Sequence, residues 1–184
     1  MSDEDFYVSV DIEASGPIPG EYSMLSLGAC VVGQPEKAIY LELKPDSPRH
    51  DPEAVGVTGF NLEDLAATGL APQEAMRRLA EWVAEVSGPD GKAVFVGLNA
   101  PFDWSFVNYY FYKYVGENPF GFAALDIKAY YMGAFNLEWR QTKSSHMGAT
   151  LRPRTSPTHN ALDDARYQAE LFELMLRRKS KLGV

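Results

Sequence analysis

Residues 7–13 alternate: Val8, Val10 and Ile12 fall on one side, and Tyr7, Ser9, Asp11 and Glu13 on the other. A period of two marks a β-strand, and Ser15-Gly-Pro-Ile-Pro-Gly20 ends it with turn-forming residues. Residues 24–32 and 38–43 read as two further strands joined by a hairpin turn at Gly33-Gln-Pro-Glu36, giving an antiparallel meander. Proline, glycine and aspartate between Lys44 and Asn61 predict a loop with one short helix near Pro52. A helical pattern follows over 72–86, with Ala75, Leu79, Trp82 and Val86 as its inward stripe. Ala93-Val-Phe-Val96 is short and wholly apolar, as a buried strand is. Pro101 then opens a helix to Tyr114, proline being suited to a first helical position. Residues 124–127 predict a fifth strand, followed by a helix with Asp126 near its cap, a loop, and a closing helix over 161–179.

A meander followed by alternating helices and strands predicts an α/β fold, a five-stranded mixed sheet flanked by α-helices. A length of 184 residues suits a single domain over 1–184, with a core large enough to stand without disulfides. The one cysteine, Cys30, lies in an apolar run, which favours a small buried hydrophobe over a reactive thiol. The start, Met1-Ser-Asp-Glu-Asp5, has neither the basic residues nor the apolar stretch of a signal peptide. No segment approaches the roughly 18 uninterrupted apolar residues of a membrane helix. A cytoplasmic protein without membrane contact is the expectation.

Three constellations carry candidate chemistry. Asp11 and Glu13 sit two apart on one strand face, roughly 6–7 Å apart along the chain. Paired acids are costly on a face aimed at a core, so the alternatives are a solvent-facing edge or a functional cleft. Asn99-Ala-Pro-Phe-Asp103 places Asp103 in the first turn of a helix, where the helix dipole also favours an acid. Asn99 suits a turn or cap, and Phe102 could stack on a nucleobase. In His159-Asn-Ala-Leu-Asp-Asp164, Asn160 fits an N-cap with Asp163 in the capping-box position, leaving Asp164 free beside Gln168, Leu171 and Met175. Together these supply four acids and a histidine from a first strand, a middle helix and a last helix. Hard oxygen donors suit Mg²⁺ or Mn²⁺, and no phosphate-cradling or nucleophile-elbow motif competes.

The segments Asp11-Ile-Glu-Ala-Ser-Gly16, Asn99-Ala-Pro-Phe-Asp103 and His159-Asn-Ala-Leu-Asp-Asp164-Ala resemble, in order and spacing, the three motifs of the DEDDh (DnaQ-like) 3'→5' exonucleases. The resemblance implies a ribonuclease H-like fold and two-metal phosphodiester hydrolysis releasing nucleoside 5'-monophosphates. Its spacing selects Asp164 rather than Asp163. It implies that Asp11, Glu13 and Asp164 hold one divalent cation, that Asp11 bridges to a second supported by Asp103, and that His159 takes the proton from the nucleophile. Imidazoles ordinarily titrate near neutral pH, which suits that task. Ala14 and Ser15, where many members have two threonines, would approach the terminal nucleotide through their backbone, with Asn99 and Phe102 as further contacts. Val57-Thr-Gly-Phe60 resembles the family's loop after the third strand. Family members are often homodimers or parts of larger nucleic-acid-processing complexes.

A formal net charge of −8 argues against tight, non-specific duplex binding, because phosphate contacts come from Lys and Arg. Loading with cations lessens the excess. Between residues 136 and 158, Arg140, Lys143, Arg152 and Arg154 face only Glu138, which leaves a locally basic loop of unassigned role. Single-stranded DNA, RNA and very short oligoribonucleotides all remain open as substrates, since recognition of the 2'-hydroxyl depends on pocket geometry. A non-catalytic nucleic-acid-binding module on the same fold is the alternative from another class.

Overall fold

The computed structural model describes residues 6–89 and 91–182; the acidic segment Met1–Asp5 lies outside them. Five strands, β1 (Phe6–Ala14), β2 (Met24–Val31), β3 (Gln34–Glu42), β4 (Ala93–Gly97) and β5 (Ala124–Asp126), form one sheet in the order β3-β2-β1-β4-β5. The first three pair as the expected antiparallel meander, and β4 and β5 run parallel to β1. The sheet is therefore mixed, and β1 is its central strand rather than a solvent-facing edge. The C-terminal ends of β1, β4 and β5 lie along one edge of the sheet, where open α/β sheets bind ligands.

Among the described residues seven α-helices accompany the sheet: α1 (Pro52–Thr58), α2 (Leu62–Thr68), α3 (Pro72–Ser87), α4 (Pro101–Tyr114), α5 (Ile127–Phe135), α6 (Ser144–Leu151) and α7 (Ala161–Leu182). Several differ from expectation for identifiable reasons. β3 begins at Gln34, because Gly33 (φ 81°) turns the chain in fewer residues than predicted. Pro35 is tolerated there because β3 is an edge strand. α2 follows the expected loop in a stretch for which no element was predicted, started by the Asn61 side chain, which accepts the backbone N–H groups of Glu63 and Asp64. The buried stripe of α3 is Ala75, Met76, Leu79 and Val83, rotated from the predicted one, which leaves Trp82 and Val86 half-buried.

The core forms two layers. Val8, Val10 and Ile12 pack with Phe95, Leu79 and Tyr110 on the α3–α4 side of the sheet. On the other side Val96 and Ile127 pack with Met147, Phe172 and Met175. α7 thus covers the face of β1 that carries Ser9, Asp11 and Glu13. Its approach is fixed at Gly28 of β2, where an added Cβ would lie 2.3 Å from the backbone of Ala161 and Leu162. Gly28→Ala must push the start of α7 off the sheet. Overpacking of about 1–3 kcal/mol, at about 2–4 °C per kcal/mol for a domain of this size, should lower the melting temperature by about 3–10 °C. Activity should fall further than stability alone accounts for, as scanning calorimetry beside a turnover assay would show.

Candidate active site

Asp11 and Glu13 share the face of β1 beneath α7, as strand parity requires. β4 accompanies β1 only as far as Ser9. In the gap beyond, Asp103 enters from the first turn of α4, 4% exposed, and its Oδ1 accepts the backbone N–H of Ile12 at 3.1 Å. That bond satisfies a strand amide that would otherwise be buried and unpaired. It also fixes Asp103 beside the two acids of β1.

α7 brings the third motif. Asn160 caps it, accepting the amides of Leu162 at 3.1 Å and Asp163 at 3.3 Å. Asp163 does not complete the predicted capping box; it accepts the Thr158 hydroxyl at 3.4 Å and pairs with Arg166 at 3.6 Å. Asp164 is not left over either. Its two oxygens accept the backbone amides of Thr158 (2.7 Å) and His159 (3.2 Å), so it holds the loop that carries the imidazole. His159 itself is exposed and adopts φ 61°, a left-handed conformation that His tolerates better than β-branched residues do. Glu13, His159 and Asp164 each offer a ligand atom, and those atoms lie within 4.8 Å of one another.

A further polar residue completes the constellation. Gln168, 3% exposed, donates from Nε2 to Asp11 Oδ1 and accepts the backbone N–H of Leu98 at 2.8 Å through Oε1. One amide thereby ties the α7 helix, the β1 carboxylate and the end of β4. The sequence carried a signal for it: a glutamine one turn beyond Asp164 on a stripe otherwise filled by Ala161, Leu171 and Met175. If Asp11 holds a cation, Gln168→Leu should lower both Mn²⁺ affinity and turnover by about 10- to 100-fold, the usual effect of losing a group that orients a ligand carboxylate. Calorimetric Mn²⁺ titration beside a DNA digestion assay would check it; wild-type Mn²⁺ affinity would rule that role out.

The acids crowd one another. Burial, then the charges of Asp103, Asp164 and Glu13, push Asp11 well above the usual carboxylate range, and only the Gln168 hydrogen bond opposes this. Burial and the Asp164 charge raise Glu13 to about 7. Burial raises Asp103 to about 8 against the pull of the Ile12 amide, with Glu13 and Asp126 adding repulsion. A cluster of hard oxygen donors with this much uncompensated repulsion fits divalent cations.

The second motif is held as firmly. Asn99 takes φ 67° and is exposed, while Asp126 accepts the amides of Ala100 (2.8 Å) and Ala129 (2.7 Å), joining this turn to α5. Phe102 is 36% exposed and packs on Phe106, with ring centroids 5.4 Å apart. Ala14 is buried. Ser15 has every polar group engaged within the chain. Its hydroxyl accepts Ser23 N–H (2.9 Å) and donates to Arg49 O (3.2 Å), while its backbone pairs with Ser23 O (2.8 Å) and Asp51 N–H (2.7 Å). Ser15 therefore fastens the strand end to the rim of a groove of about 1170 Å³ lined by His50, Val55, Phe60 and Leu62, among others. That groove lies beside the carboxylates rather than over them.

Two other expectations meet the structure here. Cys30 is fully buried, and burial pushes its thiol up to about 12, which leaves it an inert hydrophobe. In the basic loop, Arg140 pairs with Glu138 (2.7 Å) and Arg154 with Glu170 (3.4 Å), so two of its four cations have carboxylate partners. No described helix is long and apolar enough to cross a membrane.

An Escherichia coli protein named 3'-5' DNA exonuclease Cap18 is 53% identical over 183 residues, spanning 98% of each chain. Among solved structures, the nuclease domain of 3'hExo, a DEDDh family member bound to rAMP, superposes with a TM-score of 0.79 at 16% identity, covering 96% of this chain and 94% of that one. E. coli Exonuclease I in complex with a dT13 oligonucleotide gives a TM-score of 0.75 at 18% identity, covering 98% of this chain and 43% of that one. The fold is thus the ribonuclease H-like fold of these nucleases. The RNase_T family model, described as an exonuclease, matches residues 8–172, a span that begins in β1 and ends inside α7 and so takes in all three motifs: this chain belongs to that exonuclease family.

Proposed function

We propose that the protein, acting as one domain, removes nucleotides from the 3' end of single-stranded DNA with the help of two divalent cations, Mg²⁺ or Mn²⁺. The observation that carries this reading is the meeting of Glu13, His159 and Asp164 within 4.8 Å, beside Asp11 and Asp103. DNA is favoured over RNA because the relative at 53% identity is named a DNA exonuclease. Asp11, Glu13, Asp103 and Asp164 would hold the ions. When bound, such ions supply positive charge against the phosphate and make a water acidic enough to attack it.

The chain's own residues do the rest. His159 takes the proton of the attacking water, its loop held by the hydrogen bonds from the Thr158 and His159 amides to Asp164. Gln168 orients Asp11, and Asp103 steadies the β1 backbone between the two acids. Asn99 and Phe102 flank the scissile region, and the groove beyond Ser15 receives the terminal nucleoside. A non-catalytic binding module has no use for acids held at such mutual repulsion.

Digestion of 5'-labelled single-stranded DNA, RNA and dinucleotides with Mg²⁺, Mn²⁺ or EDTA tests the reading. Stepwise shortening of DNA from its 3' end, dependent on metal and faster than that of RNA, is the expected result. Absence of metal-dependent cleavage of all three overturns it.

A further inference from the structure

We infer that Lys128 and Trp139 form a second subsite that grips the DNA strand on the 5' side of the bond being cut. This rests on the exonuclease reading and adds to it the path of the strand. Residues 45–66, which line the groove, follow β3 and are tied to Ser15 and Ser23, on the β3–β2–β1 side of the carboxylates. Lys128 is the second residue of α5, directly after β5 on the opposite side of the sheet. Its Nζ lies 3.3 Å from Oδ1 of Asn99, four residues before Asp103. A strand with its terminal nucleoside in the groove and its scissile phosphate at the carboxylates continues toward Lys128.

The chemistry there suits a phosphate beside a nucleobase. Arg49, Lys113, Arg140, Arg154 and Arg166 are each paired with a carboxylate. Lys128 has no carboxylate partner among the described residues, although Asp126, whose two oxygens accept backbone amides, is two positions away. The ammonium instead sits 4.3 Å from the centroid of the Trp139 ring. In a chain of net charge −8, a cation with no carboxylate partner and a hydrogen bond to a motif residue is placed to hold a phosphate.

Trp139 is 56% exposed, unusual for an indole without a partner to cover it. It stands on a 3₁₀ turn (Trp139–Gln141) closed by a capping box between Glu138 and Gln141. The Thr142 hydroxyl also donates to Trp139 O at 2.7 Å. The backbone that carries the ring is held in advance of binding, which lowers the ordering cost of stacking a base on it.

The test is the affinity of the full chain for a fluorescent phosphorothioate oligothymidylate, which resists cleavage, measured by anisotropy at fixed Mg²⁺ over a series of KCl concentrations. Lys128→Gln should weaken binding about 3- to 10-fold and reduce the slope of log affinity against log salt by about 0.7, one single-strand phosphate contact. Trp139→Ala should weaken it about 5- to 50-fold, with Trp139→Phe restoring most of the loss. A wild-type salt slope in Lys128→Gln overturns the subsite, as does wild-type affinity in Trp139→Ala. Hydrolysis of thymidine 5'-(p-nitrophenyl phosphate), which has one nucleoside and no strand, is measured on the wild type alongside. If that ester is not cleaved with Mn²⁺, the catalytic reading fails; if it is cleaved while both variants bind as the wild type does, only the subsite fails.

Discussion

His159→Ala is expected to lower turnover of single-stranded DNA by about 10²–10⁴-fold, the range for removing a general base. Mn²⁺ affinity should change far less. The imidazole lies within 4.8 Å of Glu13 and Asp164, close enough either to take a proton or to bind an ion, and the two roles separate in this variant. The Asp164 carboxylate holds the loop through backbone amides, so loss of the ring leaves those bonds in place. Because residue 159 adopts φ 61°, alanine adds a backbone cost that asparagine avoids. His159→Asn is therefore the cleaner companion. If calorimetry shows both variants losing metal affinity in proportion to rate, His159 is a ligand and the proton goes elsewhere.

The second large effect concerns the acids. Asp11→Asn should cut turnover by at least about 10³-fold, since it removes a metal-holding charge, yet stabilise the metal-free protein. Glu13 at about 7 and Asp103 at about 8 lie well above their ordinary values of 4.5 and 3.8. Between those limits the folded state holds protons that the unfolded chain has released, so stability falls as pH rises through that window. Asp46 and Glu170, whose values are lowered by hydrogen bonds to Tyr110 and Thr155 among others, act in the opposite sense but below the ordinary carboxylate range. In EDTA, the wild type should thus melt lower at pH 8 than at pH 5.5. With that repulsion relieved, metal-free Asp11→Asn should melt higher than the wild type at pH 8. Mn²⁺ should raise the wild-type melting temperature more at pH 8 than at pH 5.5, because ligand carboxylates must be ionised. A metal-free melting temperature that climbs from pH 5.5 to pH 8 would contradict the account.

Much of this was legible in the chain, and the parts that were not share a cause. Strand parity placed Asp11 and Glu13 together because that relation is local. Pro101 marked the start of α4 for the same reason, and Asp126 its place at the head of α5. Asp164 was misread as free because its partners, the Thr158 and His159 amides, belong to a loop whose path capping rules do not describe. Ser15 looked open to substrate because Arg49 and Asp51, which engage it, lie more than 30 residues away. Gln168 was visible as a polar residue on an apolar stripe, but its meaning depends on knowing that α7 lies across β1.

The meeting of α7 with the sheet at Gly28 bears on ion size. The gap between the acids of β1 and Asp164 of α7 is set where one main chain rests on another, with no intervening side chain to change rotamer or compress. Such a contact has a fixed thickness. An ion of smaller radius cannot be gripped by sliding the helix inward; only rotation of the carboxylates themselves is left to accommodate it. Discrimination among divalent cations by radius is, on this view, a property of the backbone packing, and the surrounding core and the outer face of α7 can vary without altering it.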